Sequence, residues 1–197
     1  MERNAEDVKY VAYIESTGTQ YIDTQYVPTE RTSFEFEAAF NKSDYSSYYG
    51  AITRESGTYR RMHAGYVTIS NVLTIHTSSV DNNDTITLSN DCNYHKFLIS
   101  NELCMIDSIK KENNELIVPT VSLYLFDRNT GGLTLSQRIS LSRCTYCKIY
   151  ESEILVRHFL PCLDKNGIPC MYEKVEGKYY YNDGTGQFLY GTELIGY

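Results

Sequence analysis

The sequence predicts an all-β sandwich of two antiparallel sheets, and three observations lead to this prediction. Short segments alternate apolar and polar side chains with a period of two, as half-buried strands do. Clusters rich in Asn, Asp and Gly separate these segments, and no segment offers an apolar helical face longer than two turns. The chain of 197 residues shows no linker or internal repeat. We therefore expect one domain over residues 10–197, preceded by a tail over residues 1–9.

The strands are predicted from the alternation itself. The first, residues 33–40, alternates aromatic and acidic side chains. The others cover residues 66–70, 73–77, 85–89, 95–100, 103–107, 121–126, 145–150 and 154–159. The last two flank a short turn at 151–153 and predict a β-hairpin. Further turns are predicted at 81–84, 112–115 and 129–132, where polar and glycine residues cluster.

Composition and charge exclude several function classes. Hydrophobic residues make up 42% and charged residues 22% of the chain, as is usual for a globular domain. The 19 tyrosines suit both half-buried strands and contact surfaces. A net charge of −7 repels phosphate backbones, so nucleic-acid binding is not expected. The one basic cluster is Arg54 with Arg60 and Arg61, for which a solvated loop is the plainer interpretation.

The chain shows no apolar run long enough for a membrane span, and its polar first residues are unlike a secretory signal. We therefore expect cytoplasmic synthesis and no membrane insertion. The six cysteines are expected to be structural free thiols. Cys144 and Cys147 form a C-x-x-C pair, but a zinc site needs a second close pair, and Cys147 lies in an alternating strand.

Several motifs, in the right order, resemble one family. The segment at 13–24 reads YIESTGTQYIDT, and the one at 121–126 reads VSLYLF. Near the end of the chain lie CKIY at 147–150, LVRHFLPC at 155–162, YEKVEGKYY at 172–180 and NDGTGQF at 182–188. Together they resemble the laminin-G-like, concanavalin-like jelly-roll domains of phage and prophage structural proteins and of bacterial surface proteins.

The resemblance implies a jelly-roll sandwich and specifies fold, not chemistry. Gly18, Gly177, Gly184 and Gly186 are expected in turns, and Tyr21, Phe159 and Phe188 between the sheets. The sequence departs from the family at His158, where Asp is common, and at Gln25, where Gly is common.

Catalysis is not predicted. Retaining glycoside hydrolysis needs two carboxyl groups about 5–5.5 Å apart. Glu35 and Glu37 share a strand face but lack the third acid of the Glu-x-Asp-x-x-Glu pattern, and a solvated face is the preferred interpretation. Glu151 and Glu153 lie in a turn. The four histidines show no metal-ligand spacing.

The resemblance implies a phage virion surface protein, tail-associated or decorating the capsid, that binds host-surface carbohydrate or neighbouring virion proteins, with a homo-oligomer possible. The alternatives are a bacterial cell-surface adhesin and, less favoured, a glycan-degrading enzyme. Sugar recognition needs aromatic faces beside polar groups. The candidate carbohydrate-binding residues are Asp44, Tyr45, Tyr48, Tyr49, Arg54, Tyr59 and Arg60, in the segments 42–50 and 53–61. The plainer interpretation of Tyr48 and Tyr49 is that they begin a strand and pack. No cofactor is expected; calcium could use residues 81–84, although a plain polar turn is preferred there.

Overall fold

A computed structural model describes residues 8–42, 46–77, 86–112, 117–133 and 140–194. Within these ranges the chain forms strands and turns, and no helix there is long and apolar enough to cross a membrane. The strands are β1 (Lys9–Tyr10), β2 (Ile14–Thr17), β3 (Ile22–Asp23), β4 (Thr32–Phe40), β5 (Ser47–Glu55), β6 (Thr58–Val67), β7 (Val72–His76), β8 (Thr87–Ser89), β9 (Tyr94–Ile99), β10 (Leu103–Ile106), β11 (Ile109–Glu112), β12 (Tyr124–Leu125), β13 (Arg128–Asn129), β14 (Leu141–Glu151), β15 (Ile154–Leu163), β16 (Pro169–Glu173), β17 (Lys178–Tyr180) and β18 (Leu189–Tyr190).

These strands form two sheets, which confirms the predicted all-β sandwich. The larger sheet has the order β11-β10-β9-β4-β14-β15-β16-β17, with β1 beside β15, β2 beside β14 and β18 beside β2. The smaller sheet has the order β3-β12-β5-β6-β7-β8, with β13 beside β5. Pairing is antiparallel except between β13 and β5, which run parallel. The apolar core lies between the sheets.

The alternation located five of the eleven strands of the larger sheet. Strands β4, β9 and β10 and the β14–β15 hairpin lie where they were predicted, although β14 and β15 each extend four residues beyond their predicted outer ends. Residues 66–70 were wrong as a strand, because β6 ends at Val67 and Asn71 closes a turn with a φ of 52°. Residues 121–126 contain only the two-residue β12, since Phe126 has a φ of 65° and turns the chain.

The β5–β6 hairpin was not predicted as a hairpin, since residues 42–61 were treated largely as loop. The plainer interpretation of Tyr48 and Tyr49, that they begin a strand and pack, is confirmed by β5. Residues Ser47 to Thr53 are all buried, so both faces of this stretch of β5 are covered. The same holds for Met62 to Tyr66 in β6. A strand buried on both faces has no polar alternation for a sequence pattern to reveal.

A stack of three aromatic rings joins the two sheets. Phe36 of β4 lies 4.8 Å from its cross-strand neighbour Phe97 and 4.8 Å from Tyr49 of the smaller sheet, measured between ring centroids. The three rings are nearly parallel and fully buried. The Tyr49 hydroxyl shares a hydrogen bond of 2.8 Å with Ser142 Oγ, which ties β5 to β14 across the core.

The first and last motifs of the family resemblance contact each other. The side-chain amide of Gln20 accepts a hydrogen bond from the backbone N–H of Thr17 (2.8 Å) and donates one to the backbone carbonyl of Thr185 (3.0 Å). The Thr185 amide donates in turn to the Thr19 carbonyl (2.9 Å). A Cβ on Gly184 would lie 2.1 Å from that carbonyl oxygen, so only glycine allows this approach. These motifs therefore join the two ends of the domain.

The N-terminal boundary differs from the prediction. Residues 1–7 lie outside the described part of the chain, but Lys9 already belongs to β1 and pairs with Leu163.

Gln25, which stands where Gly is common in the family, has a φ of 56°, in the left-handed region that favours glycine. Of the residues expected between the sheets, Phe159 and Phe188 are buried, and Tyr21 packs half-buried against the core.

A histidine held by two carboxylates lies at one end of the larger sheet. His95 Nδ1 lies 2.6 Å from Asp107 Oδ2, and His95 Nε2 lies 2.9 Å from Asp91 Oδ1. The two ring nitrogens can both donate at the same time only in the imidazolium form. Burial of His95 lowers its pKa, but the hydrogen bonds to Asp107 and Asp91 outweigh that effect and raise it overall.

Replacing Phe36 by Ala should destabilise the protein by about 3–5 kcal/mol, because a fully buried ring is lost from the contact between the sheets. Tyr49→Phe should cost about 1 kcal/mol, since it removes one buried hydrogen bond. Urea unfolding followed by circular dichroism measures both. Ile69→Ala is the control, because Ile69 is apolar yet 99% exposed. A loss for Phe36→Ala no larger than for the control would contradict this account of the core.

The His95 site should make stability depend on pH. Because the pKa of His95 in the folded protein lies above its unfolded value of about 6.5, the protonated ring stabilises the fold. This stabilisation is complete below the unfolded pKa and is lost as pH rises through the folded pKa. The excess stability of the wild type over His95→Gln should therefore be larger near pH 5.5 than near pH 9. Urea unfolding of both proteins across this range measures the difference. An excess that grows with pH would reverse the sign and refute the assignment.

Candidate functional site

The structure separates the sequence-predicted carbohydrate site into buried and exposed parts. Asp44 and Tyr45 lie outside the described residues. Tyr49 is fully buried in the core stack, so including it as a ligand contact was wrong. Tyr48 is 8% exposed, and its ring lies 4.9 Å from the His63 ring and 4.7 Å from the Arg128 guanidinium carbon. The side chains of His63 and Arg128 thus already contact the Tyr48 ring, and little of its surface is left for a ligand.

The exposed part lies at the end of the β5–β6 hairpin. Guanidinium carbons of Arg54 and Arg61 lie 5.0 and 4.7 Å from the centre of the Tyr59 ring. Arg60 forms an ion pair with Glu55. The hairpin thus places Arg54 beside Tyr59, whereas Arg60 pairs across the strands with Thr53 and its side chain contacts Glu55 instead. However, two guanidinium groups already contact the Tyr59 ring, and this competes with stacking on a sugar.

A cleft of about 400 Å³ lies on the outer face of the larger sheet. We call it the outer-face cleft. Its lining combines aromatic, charged and apolar side chains: Tyr10, Val11, Ala12, Glu37, Thr145, Tyr146, Lys148, His158, Leu160, Pro161, Lys174 and Leu194. Aromatic walls beside a few convergent polar groups are typical of small-molecule and sugar sites.

Strand register brings the polar side chains of the cleft together. Glu37 of β4 pairs with Tyr146 of β14, and Lys148 of β14 pairs with His158 of β15. Successive residues of a strand point to opposite faces. Since their neighbours Phe36 and Cys147 are buried in the core, these four side chains face outward.

The cleft opens where β14 and β15 part. The two strands pair with each other only over Cys147–Glu151 and Ile154–Phe159. Beyond that point β14 pairs with β2, and β15 pairs with β1. The link between β1 and β2, which includes Val11 and Ala12, lines the cleft wall.

A β-bulge adds a hydroxyl group to the cleft. The register of β14 on β4 shifts between Cys144 and Tyr146, so Thr145 is an extra residue without a partner on β4. Bulges redirect side chains in this way. Thr145 Oγ1 donates a hydrogen bond of 2.6 Å to the Glu37 carboxylate.

The protonation states in the cleft follow from burial and neighbouring charges. Burial raises the pKa of Tyr146, and the charge of Glu35 together with a hydrogen bond to it raises this pKa further. Burial lowers the pKa of His158, and the positive charges of Lys148 and Lys174 lower it more. At neutral pH the cleft therefore presents a neutral imidazole and a protonated phenol beside ammonium and carboxylate groups. Such groups can donate to and accept from the hydroxyls of a polyol.

Sequence reasoning did not assign most of the cleft to a site. Glu37 was considered only as one of a possible pair of hydrolase acids, and Tyr10, Tyr146 and Lys174 were not candidates at all. The alternation of residues 145–150 and 154–159 does assign Tyr146, Lys148 and His158 to one face. The parting of β14 from β15, which makes that face a cleft, has no local signature in the sequence.

Within the described ranges no group of three or more His, Cys, Asp and Glu side chains is placed to hold a metal ion. The calcium candidate at residues 81–84 lies outside those ranges. All six cysteines are free thiols; Cys144 and Cys147 are buried, and burial raises the pKa of both.

The sequence matches no protein-family model and no curated protein.

The His158 imidazole should titrate below its ordinary pKa of about 6.5, because burial and two nearby ammonium groups disfavour its charged form. Proton NMR of the imidazole C2 resonance across a pH series measures this value. Lys174→Gln should raise the His158 pKa, whereas Lys165→Gln, a change in the exposed β15–β16 turn, should leave it unchanged. A wild-type value at or above 6.5 would contradict the electrostatics described for the cleft.

Proposed function

We propose that this protein is a non-catalytic, lectin-like β-sandwich of the laminin-G-like, concanavalin-like kind that binds host-surface carbohydrate from the surface of a phage particle. One observation carries the carbohydrate part of this proposal. The outer-face cleft places two tyrosines beside carboxylate, ammonium, imidazole and hydroxyl groups.

The chemistry of the cleft suits a sugar ring. Tyr10 and Tyr146 are half-buried, so each keeps ring surface for the apolar side of a pyranose. The Glu37 carboxylate can accept from sugar hydroxyls, and the ammonium groups of Lys148 and Lys174 can donate to them. A single cation, the Lys148 ammonium, lies 5.2 Å from the centre of the Tyr146 ring, whereas two guanidinium groups contact Tyr59. The Tyr146 ring and the Lys148 ammonium would therefore contact one ligand together.

The partners of the acidic side chains favour binding over hydrolysis. Glu37 is held by Thr145, and Glu35 forms a hydrogen bond with Tyr146 and pairs across the strands with Lys148. Hydrolysis needs one carboxyl group that gives up a proton and another that acts as nucleophile or base. Here both carboxylates have structural partners, which supports a lectin-like role.

The phage setting rests on the family resemblance of residues 13–24 and 147–188. Relatives of that kind occur in tail and decoration proteins. A net charge of −7 is compatible with display on a particle surface, because it disfavours contact with nucleic acid.

Assembly with neighbouring virion proteins is the second candidate, and β18 favours it. This two-residue strand pairs with β2, and its Leu189 and Tyr190 are 54% and 49% exposed. Exposed apolar side chains on an outer strand suit a protein contact. Light scattering of the purified protein tests this: self-association that Leu189→Glu abolishes would support an assembly role.

A glycan array covering host polysaccharides, probed with and without calcium, should show saturable binding. Tyr146→Ala and Lys174→Ala should each weaken that binding by about tenfold or more, because each removes a side chain from the cleft. Arg54→Ala and Tyr59→Ala at the hairpin end are matched controls and should bind as the wild type does. Calorimetry with the strongest array ligand measures the change.

Two results would overturn this proposal. Loss of binding in the hairpin variants, with retention in the cleft variants, would return the site to the β5–β6 hairpin. Failure of the folded wild type to bind any host glycan would remove the lectin role and leave virion assembly as the function.

A further inference from the structure

Two cysteines lie opposite each other next to the outer-face cleft. Cys162 of β15 pairs directly with Cys170 of β16, and both residues are fully buried. Their sulfur atoms lie 3.6 Å apart. The sequence placed both cysteines among structural thiols and gave no reason to join them.

The backbone already has the spacing that a disulfide requires. Residues opposite each other in an antiparallel pair have Cα atoms about 4.5–5.5 Å apart. Disulfides join Cα atoms about 4.4–6.8 Å apart, with a sulfur–sulfur bond of about 2.05 Å. The two sulfur atoms would therefore have to approach by about 1.5 Å from their separation of 3.6 Å.

The turn between these strands is already ordered. The Asp164 carboxylate accepts hydrogen bonds of 2.8 Å from the amides of both Asn166 and Ile168. Strand ends held by their own turn keep the two cysteines opposed. Bond formation therefore requires little additional ordering of the folded chain.

Aromatic rings shield the thiols in the folded state. Tyr172 lies 6.4 Å from Tyr10 and 5.1 Å from Tyr179, measured between ring centroids, on the face that carries the thiols. The hydrogen bond with Cys170 raises the pKa of Cys162, and burial raises it further. Reaction therefore needs transient exposure of the thiols. The short strand β17 lies beside β16 as the last strand of the sheet order, so local opening there would expose Cys170.

We propose that Cys162 and Cys170 form a disulfide when the protein meets a disulfide oxidant, such as oxidised glutathione or an oxidised thiol–disulfide oxidoreductase. One cysteine thiolate attacks the oxidant and releases one thiol. The second cysteine then displaces the other half from the mixed disulfide. The two cysteines lose two electrons and two protons, and the oxidant is reduced to two thiols.

The bond would covalently join β15 to β16 beside the outer-face cleft. Closing a short loop restricts the unfolded chain, so oxidation should raise the melting temperature by about 5–10 °C. A protein that leaves a reducing compartment would gain this stability after folding. This inference does not depend on glycan binding.

Peptide mapping tests the bond directly. Trypsin cuts after Lys165, so it places the two cysteines on different peptides, HFLPCLDK at 158–165 and NGIPCMYEK at 166–174. The full chain is incubated with oxidised glutathione in mild urea, alkylated, digested and analysed by mass spectrometry without reduction. The expected result is one linked pair of these peptides, which reductant separates.

The matched variants are Cys162→Ser and Cys170→Ser, with Cys92→Ser as the control because Cys92 is the exposed thiol. Oxidation should raise the melting temperature of the wild type and of Cys92→Ser, and leave it unchanged in the other two variants. Absence of the linked peptides, or linkage of either cysteine to a different one, would overturn the proposal. Linkage that lowers the melting temperature would overturn the stabilising role.

Discussion

The ring stack of Phe97, Phe36 and Tyr49 is the contact on which the rest of this protein depends. It joins strands of both sheets through nearly parallel rings, and the Tyr49 hydroxyl adds a hydrogen bond to Ser142 on the central strand β14. Because these side chains occupy the inner faces, strand alternation sends their neighbours outward. The polar groups of the larger sheet, including those of the cleft, therefore face solvent as a consequence of core packing.

The outer-face cleft depends on a second constraint, which is how the two ends of the chain enter the sheet. Strands β1 and β2 fill the space where β15 and β14 part. The hydrogen bonds of Gln20 and the close approach of Gly184 to Thr19 fasten β2 to the C-terminal segment. The motifs at 13–24 and 182–188 thus join the two ends of the chain and add no side chain to the cleft. The motifs at 147–150, 155–162 and 172–180 supply part of its lining, including Lys148, His158 and Lys174.

Strand β15 connects the two proposals without making either depend on the other. It contributes His158 and Leu160 to the cleft, and two residues further on it carries Cys162 opposite Cys170. A covalent link at that point would restrain the wall of the cleft. The thiol pair would stabilise the sandwich whatever ligand the cleft accepts, since its effect acts mainly on the unfolded chain.

The sequence by itself determined the all-β class and the strands with one buried face, such as β4 and β9, because a half-buried strand must alternate polar and apolar residues. It did not establish β5 and β6, which are covered on both faces, and so the buried Tyr49 stayed among the candidate ligand contacts beside the plainer interpretation of a packed strand. Only the tertiary structure decided the cleft and the thiol pair. Glu37 and His158 are distant in the chain, and Cys162 and Cys170 are separated by a turn. Strand register, which the tertiary fold sets, brings each of these groups together.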